Sequence, residues 1–259
     1  MIESLETRIA PAAVVSFFEV DGDKVTVKTN RGTTAQLEEA LLITRGTTGV
    51  DGFTLDLIAT PELAAAFAGT NVTITASGPG NKLADFVAIN AFNGGGADNI
   101  DLNKVNVKGN LVFIDVGDNA GGLAINSLTV TSFVPDKGEP FATVSEIHGD
   151  INCVNVKRDF NGFIQSVDMS GAANFTDALG TIIGKFIVGG YVASGSGDDV
   201  GHLQVNGINK LVIKKTMFGA TTDSDMDGTL DRHNGSIETT FINLMAIKRM
   251  SLGASIVLT

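Results

Sequence analysis

The sequence predicts an all-β protein: a right-handed parallel β-helix, in which short coils stack into a solenoid, preceded by a small N-terminal cap. Three observations lead there. Short β-branched segments recur between Gly, Asn and Asp clusters from about residue 84 onward. Units of the form Ile/Leu-x-x-Leu-x-Val repeat irregularly, as in Ile125-Asn-Ser-Leu-Thr-Val130 and Ile208-Asn-Lys-Leu-Val-Ile213. The composition, with 31 Gly and only 18% charged residues, suits many strands joined by tight turns better than long surface helices. A β-sandwich or jelly roll is the alternative, because it too alternates strands and turns at short spacing.

Two regions are expected. Residues 1–80 read as a cap of mixed strands with a short helix, and residues 81–259 as the solenoid. In the cap, Val14 to Val20, an Asp21-Gly22-Asp23 turn and Lys24 to Thr29 form a hairpin. Val25 and Val27 alternate with Lys24, Thr26 and Lys28, the period of a half-exposed strand. Residues 34–42 fit a short helix or a strand equally well. Phe53 to Ala59 reads as a strand, Pro61 opens a helical turn closed by Gly69, and Asn71 to Ala76 is a strand with Val72 and Ile74 on one face.

In the repetitive part, a single coil cannot bury its own apolar face. Stacking creates a continuous column of Ile, Val, Leu and Phe. Asparagines near the bends (Asn93, Asn99, Asn103, Asn110, Asn119, Asn126 and Asn161) tolerate positive φ and can ladder their amides between coils. Thr181 to Ala193 reads as a core strand, and no run of about 18 apolar residues predicts a membrane span.

Charge excludes other classes. The formal net charge is −11, spread as 8 − 15 = −7 over residues 1–130 and 10 − 14 = −4 over residues 131–259. No basic cluster is present to neutralise phosphate, so nucleic acid is not an expected partner. The single cysteine, Cys153, rules out an intramolecular disulfide and reads as an inert thiol facing the core.

The sharpest chemical signal is Asp223-Ser-Asp225-Met-Asp227-Gly228-Thr229-Leu230-Asp231. Ca²⁺ takes six to eight oxygens, and carboxylates at alternate positions of a tight loop converge on it. Asp223, Asp225, Asp227 and Asp231 would offer carboxylates, and Thr229 its carbonyl. Asn234 stands where an EF-hand loop has a bidentate Glu, so binding weaker than an EF-hand is expected unless Glu238 folds back. The loop also resembles the calcium repeats of thrombospondin type 3 and dockerin-like modules, which implies an extracellular setting.

Further acidic pairs are Asp98 with Asp101, Asp115 with Asp118, and Asp198 with Asp199. Paired carboxylates serve acid–base chemistry in glycosidases and lyases, but spacing in sequence does not set their separation in space, and these pairs read first as polar turns of a solenoid. His148, His202 and His233 have no helical i,i+4 partner, and no nucleophile elbow occurs, so no catalytic residue is assigned.

Near the start, Leu5-Glu6-Thr7-Arg8-Ile9-Ala10-Pro11-Ala12 resembles the Leu-Glu-x-Arg-x-x-Pro-Ala signature of large exported bacterial surface proteins. That resemblance covers eight residues. It implies export to the cell surface or extracellular space and β-helical, calcium-binding surroundings, and says nothing of catalysis. The resulting expectation is an exported, calcium-stabilised structural protein that forms a homo-oligomer, filament or layer. A carbohydrate-active lyase or glycosidase on the same scaffold and an adhesin for polysaccharide are the alternatives.

Overall fold

The computed structural model of the chain describes residues 12–45, 51–94, 96–118, 120, 122–135, 143–167, 180–193, 200–219 and 235–259. Within them the protein is all-β apart from two short helices. It opens with the expected hairpin: β1 (Ala13–Phe18) pairs antiparallel with β2 (Lys24–Thr29). Gly22 takes φ +89° in the turn, and Asp21 Oδ1 accepts the Asp23 amide at 3.0 Å. Val25 and Val27 are buried as their alternation requires.

The ambiguous 34–42 stretch is a helix and a strand in series. The helix α1 (Thr34–Glu39) starts at Thr33, whose hydroxyl and the Gln36 side chain form a reciprocal capping box. The strand β3 (Leu41–Arg45) follows and pairs antiparallel with β4 (Asp51–Asp56). The second helix, α2 (Pro61–Phe67), has Thr60 as N-cap and Pro61 in its first turn, and Gly69 follows at φ +67°. In β5 (Thr70–Ser77), Val72 and Ile74 face inward as their spacing predicts. This strand joins β2 antiparallel on one side.

From here every pairing is parallel. The strands β6 (Ala84–Asn90) and β7 (Leu102–Asp115) pair with each other, β6 also with β4, and β7 also with β5 and with β8 (Leu123–Phe133). After β8 the chain alternates between two sheets. One sheet continues through β10 (Asp150–Val156), β12 (Ile182–Val188), β14 (Gly207–Met217) and β16 (Phe241–Met250). The second sheet is built from β9 (Val144–Ile147), β11 (Phe163–Ser166), β13 (His202–Gln204), β15 (Ser236–Thr239) and β17 (Ser255–Leu258). The first sheet holds 12 strands in all, β1 to β5 among them, so it runs unbroken past residue 80.

Register explains the Ile/Leu-x-x-Leu-x-Val unit. Ile125, Leu128 and Val130 lie beside Leu102, Val105 and Val107 on one side and beside Ile151, Val154 and Val156 on the other. The series continues through Ile183, Phe186 and Val188, then Ile208, Leu211 and Ile213, to Ile242, Met245 and Ile247. All these side chains are buried except the last three. A parallel column of Phe133, Phe160, Val192 and Met217 runs through isolated bridges and is also buried. Phe160 meets Phe133 and Phe186 edge-to-face, with ring centroids 5.3 and 5.2 Å apart.

On the opposite side of the same strands an asparagine ladder forms. Asn103 Nδ2 donates to Asn71 Oδ1 (2.8 Å), Asn126 to Asn103 (3.2 Å) and Asn152 to Asn126 (3.1 Å). On β12 the next position is Gly184, whose Cβ would stand 2.5 Å from the Asn152 carbonyl oxygen, and the ladder resumes as Asn243 to Asn209 (2.7 Å). Amide ladders therefore exist, but in mid-strand. Of the asparagines expected to ladder, Asn103 and Asn126 do so, and Asn119 lies outside the described residues. Among the described residues, the positive-φ residues other than glycine are Lys82, Phe86 and Ala193, not asparagines.

Candidate functional site

Where β7 ends, a parallel bridge between Val116 and Ile147 sets Asp115 beside Glu146 and Gly117 beside His148. Asp115 Oδ1 accepts the Glu146 amide at 2.8 Å, and Asp101 Oδ1 accepts the Asp118 amide at 2.9 Å. His148 stacks on Phe92, 5.9 Å between ring centroids and 7° between planes, with Nδ1 3.2 Å from the Val167 carbonyl. The bend thus carries two groups of ionisable side chains, Asp101 with Asp118 and His148, and Asp115 with Glu146. Gly117 is at φ +128°, where a Cβ would overlap the His148 carbonyl oxygen, so the two turns touch only because residue 117 has no side chain.

Burial dominates the electrostatics here. It pushes Asp115 up to about 7, against the pull of the Glu146 amide and with repulsion from the Glu146 carboxylate. Asp101 is pushed up to about 6 by burial, opposed by the Asp118 amide, and Glu146 is raised by burial as well. A carboxyl that keeps its proton near neutrality beside a second carboxyl has the chemistry of an acid–base pair. Both Asp101 and Asp115 also tie down a neighbouring amide, a purely structural task.

Asp115 belongs to a longer polar row. Asp56 pairs with Asn90 and Asn90 with Asp115. Beyond Glu146 the row continues through Gln165, Gln204 and Glu238. Asn90 Nδ2 donates to Asp56 at 3.3 Å, Gln165 Nε2 to Gln204 at 2.6 Å, and Gln204 Nε2 to Glu238 at 2.8 Å. His202, 2% exposed, stacks on Phe163 with centroids 4.3 Å apart and faces Glu238 Oε1 at 3.6 Å. Glu238 is thus engaged on this row.

Asp223, Asp225, Asp227, Thr229 and Asp231 lie outside the described residues, as do Asn234, His233, Asp198, Asp199 and residues 1–11 of the N-terminal motif. Asp98 does not join the Asp101 cluster through any described hydrogen bond. Among the described residues, no group of three or more His, Cys, Asp or Glu side chains has a metal-binding arrangement, and no helix is long and apolar enough to cross a membrane. Cys153 is a correction: it is partly exposed rather than core-facing. The inward positions of β10 are Ile151, Val154 and Val156, so the x-x step of the repeat shifts the strict alternation that had placed the thiol inside.

Sequence reading missed a second acidic group. Asp23, fully buried, accepts the Gly80 amide through Oδ1 at 2.9 Å and the Lys82 amide through Oδ2, while Asp21 Oδ2 accepts the Asn81 amide at 3.0 Å. Glu19, 6% exposed, accepts the Asp85 amide at 2.8 Å through Oε1, and its Oε2 is buried without a hydrogen-bond partner. Burial, with repulsion from Asp85, Asp21 and Asp23, raises Glu19 to about 7. These carboxylates staple the β1–β2 turn to the loop before β6 and to the start of β6 itself. The Asp-Gly-Asp turn was visible in the sequence, whereas Asp85 lies some 60 residues away and carried no signal.

The remaining unusual surface is at the sheet edges. Leu244, Met245 and Met250 on β16, Leu252, and Val257 and Leu258 on β17 are exposed. At the far edge, Val14 and Phe18 on β1 and the adjoining Val20 are exposed too, as are Leu42 and Ile43 on β3. Comparison with protein families, with curated proteins and with solved structures finds no match to the chain.

Proposed function

We propose that the protein is a structural building block: a right-handed parallel β-helix that associates with further copies of itself at the cell surface or in the extracellular matrix, stabilised by calcium. The observation carrying this reading is the last rung of the apolar column. Ile242, Met245 and Ile247 occupy the register of Ile208, Leu211 and Ile213, yet Met245 is 52% exposed where Leu211 is fully buried. A column of this kind gains free energy from each rung that covers the previous one, and an uncovered rung also presents unpaired strand amides. The alternation of consecutive strands between two parallel sheets supports the solenoid. Calcium at Asp223, Asp225, Asp227, Thr229 and Asp231 and an exported location are supported by the sequence motifs alone.

Sedimentation velocity across a wide concentration range tests the association. Larger species should grow with concentration and be reduced severalfold in Met245→Lys. A wild-type chain that stays monomeric at every concentration overturns the reading. For calcium, EGTA and Asp225→Ala should each lower Tm. An unchanged Tm in both removes calcium from the proposal.

A second reading rests on Asp115 and Glu146. Neighbouring strands lie about 4.8 Å apart, close to the roughly 5 Å separation of retaining glycosidase carboxylates. Under it, the protonated Asp115 acts as acid and Glu146 as its partner on a polysaccharide. Loss of glycan cleavage in Asp115→Asn, with fold and association intact, would mark this activity.

A further inference from the structure

We propose that the copies add head to tail, the β1 edge of one against the β16 edge of the next, so that assembly is open-ended rather than a closed two-fold dimer. This inference rests on the self-association reading and specifies its geometry.

Strand direction is the first argument. β1 is antiparallel to β2, and β2 is antiparallel to β5, so β1 runs with β5. β5, β7, β8, β10, β12, β14 and β16 are all parallel. The two edges of the 12-stranded sheet therefore point the same way. A copy translated along the stack brings β1 to β16 as one more parallel strand, extending the ladder without reversal. A two-fold axis perpendicular to the sheet would place β16 antiparallel to β16, against the pattern of every pairing beyond β5, and one along the strands would set the core face of one copy against the outer face of the other. A heterologous contact of the translated kind does not close, and it propagates.

Charge is the second. Residues 241–259 contain Lys248 and Arg249 and no acidic residue, in a chain of net charge −11. Both cations are exposed. Apposing two β16 edges brings like charges together with nothing to balance them. The opposite end is mixed, with exposed Asp21, Glu38 and Glu39 alongside exposed Lys24, Lys28 and Arg31, so it does not carry the one-signed charge of β16.

Apolar surface is the third. Among the described residues β1 pairs on one side only, with Val15 and Phe17 facing the core and only partly buried and Val14 and Phe18 (69% exposed) on the opposite face, while β16 offers Met245 on its core-facing side together with exposed Leu244 and Met250. Exposed apolar side chains are thus present at both edges, as an interface requires.

Crosslinking tests the geometry. In a Cys153→Ser background, Ser16→Cys and Ala246→Cys place single thiols at exposed positions of β1 and β16 without removing the apolar contacts. Both proteins are first checked by sedimentation for wild-type association, then treated with a short bismaleimide. The head-to-tail arrangement predicts severalfold more crosslinked dimer in the mixture than in either protein alone, and a ladder of higher species when both cysteines share one chain. Self-crosslinking of the Ala246→Cys protein alone, with none gained on mixing, overturns the inference while leaving association intact. Should neither protein nor wild type associate, the underlying reading itself fails.

Discussion

Met245 lies in register beside Leu211, one strand further along the stack, and the two differ sharply in what covers them. Leu211 has rungs on both sides and is fully buried, whereas Met245 has one and is half exposed. Truncation should separate them. Leu211→Ala removes transfer energy and leaves a cavity, with an expected cost of about 2–5 kcal/mol. Met245→Ala in the monomer should cost well under half of that, because little is buried to lose. Urea unfolding at low protein concentration measures both, and equal losses would contradict the uncovered rung.

The asparagine ladder makes a separate prediction. Asn126 donates to Asn103 and accepts from Asn152, so Asn126→Ala breaks two bonds at once. At about 1 kcal/mol per bond the loss should approach 2 kcal/mol. Asn243→Ala, with a single ladder bond at the end of the series, should lose about half as much by the same reckoning. Thermal or urea denaturation of the pair decides it. Identical losses would mean that the ladder adds nothing beyond side-chain packing.

Asp115 links stability to pH. Its folded value of about 7 stands above the ordinary 3.8, so between those limits the folded protein holds a proton that the unfolded chain has released. Its contribution is fully present below pH 4 and is lost as pH rises toward 7. Asp101, raised to about 6, acts in the same direction over a narrower window. Asp115→Asn keeps the acceptor for the Glu146 amide and removes the titration. Its unfolding midpoint in urea should fall less between pH 4.5 and 7.5 than that of wild type. A slope identical to wild type would show that Asp115 does not titrate there.

Gly117→Ala tests the contact that builds the acidic bend. A Cβ at that position collides with the His148 carbonyl oxygen at a backbone angle that L-residues avoid. Strain of this kind costs on the order of 1–3 kcal/mol, and the collision adds to it. The expected result is a large fall in Tm together with disruption of the Phe92–His148 stack, visible in the imidazole proton shifts. A variant as stable as wild type would mean that the bend rearranges freely.

Much of the architecture was legible in one dimension because its causes are local. Val25 and Val27, Val72 and Ile74, the Thr60-Pro61 helix start and the Ile/Leu-x-x-Leu-x-Val units all declare themselves through spacing, since burying one face of a strand or helix imposes a period on the chain. The all-β character and the inward-facing residues of each rung follow from that period. Cys153 departs from strict alternation because the repeat carries an extra residue between Ile151 and Val154, which leaves the thiol partly exposed.

What the tertiary structure decided is which rung lies beside which. Segments of unequal length separate successive strands, so the offset that brings Asp115 to Glu146, Asp85 to Glu19 or Met245 to Leu211 is written in no local pattern. Those meetings arise from hydrogen-bond register between strands distant in sequence, where a shift of one residue would send every side chain to the opposite face. The acidic bend, the carboxylate staple and the open edge all depend on that register, and the three-dimensional arrangement alone supplies it.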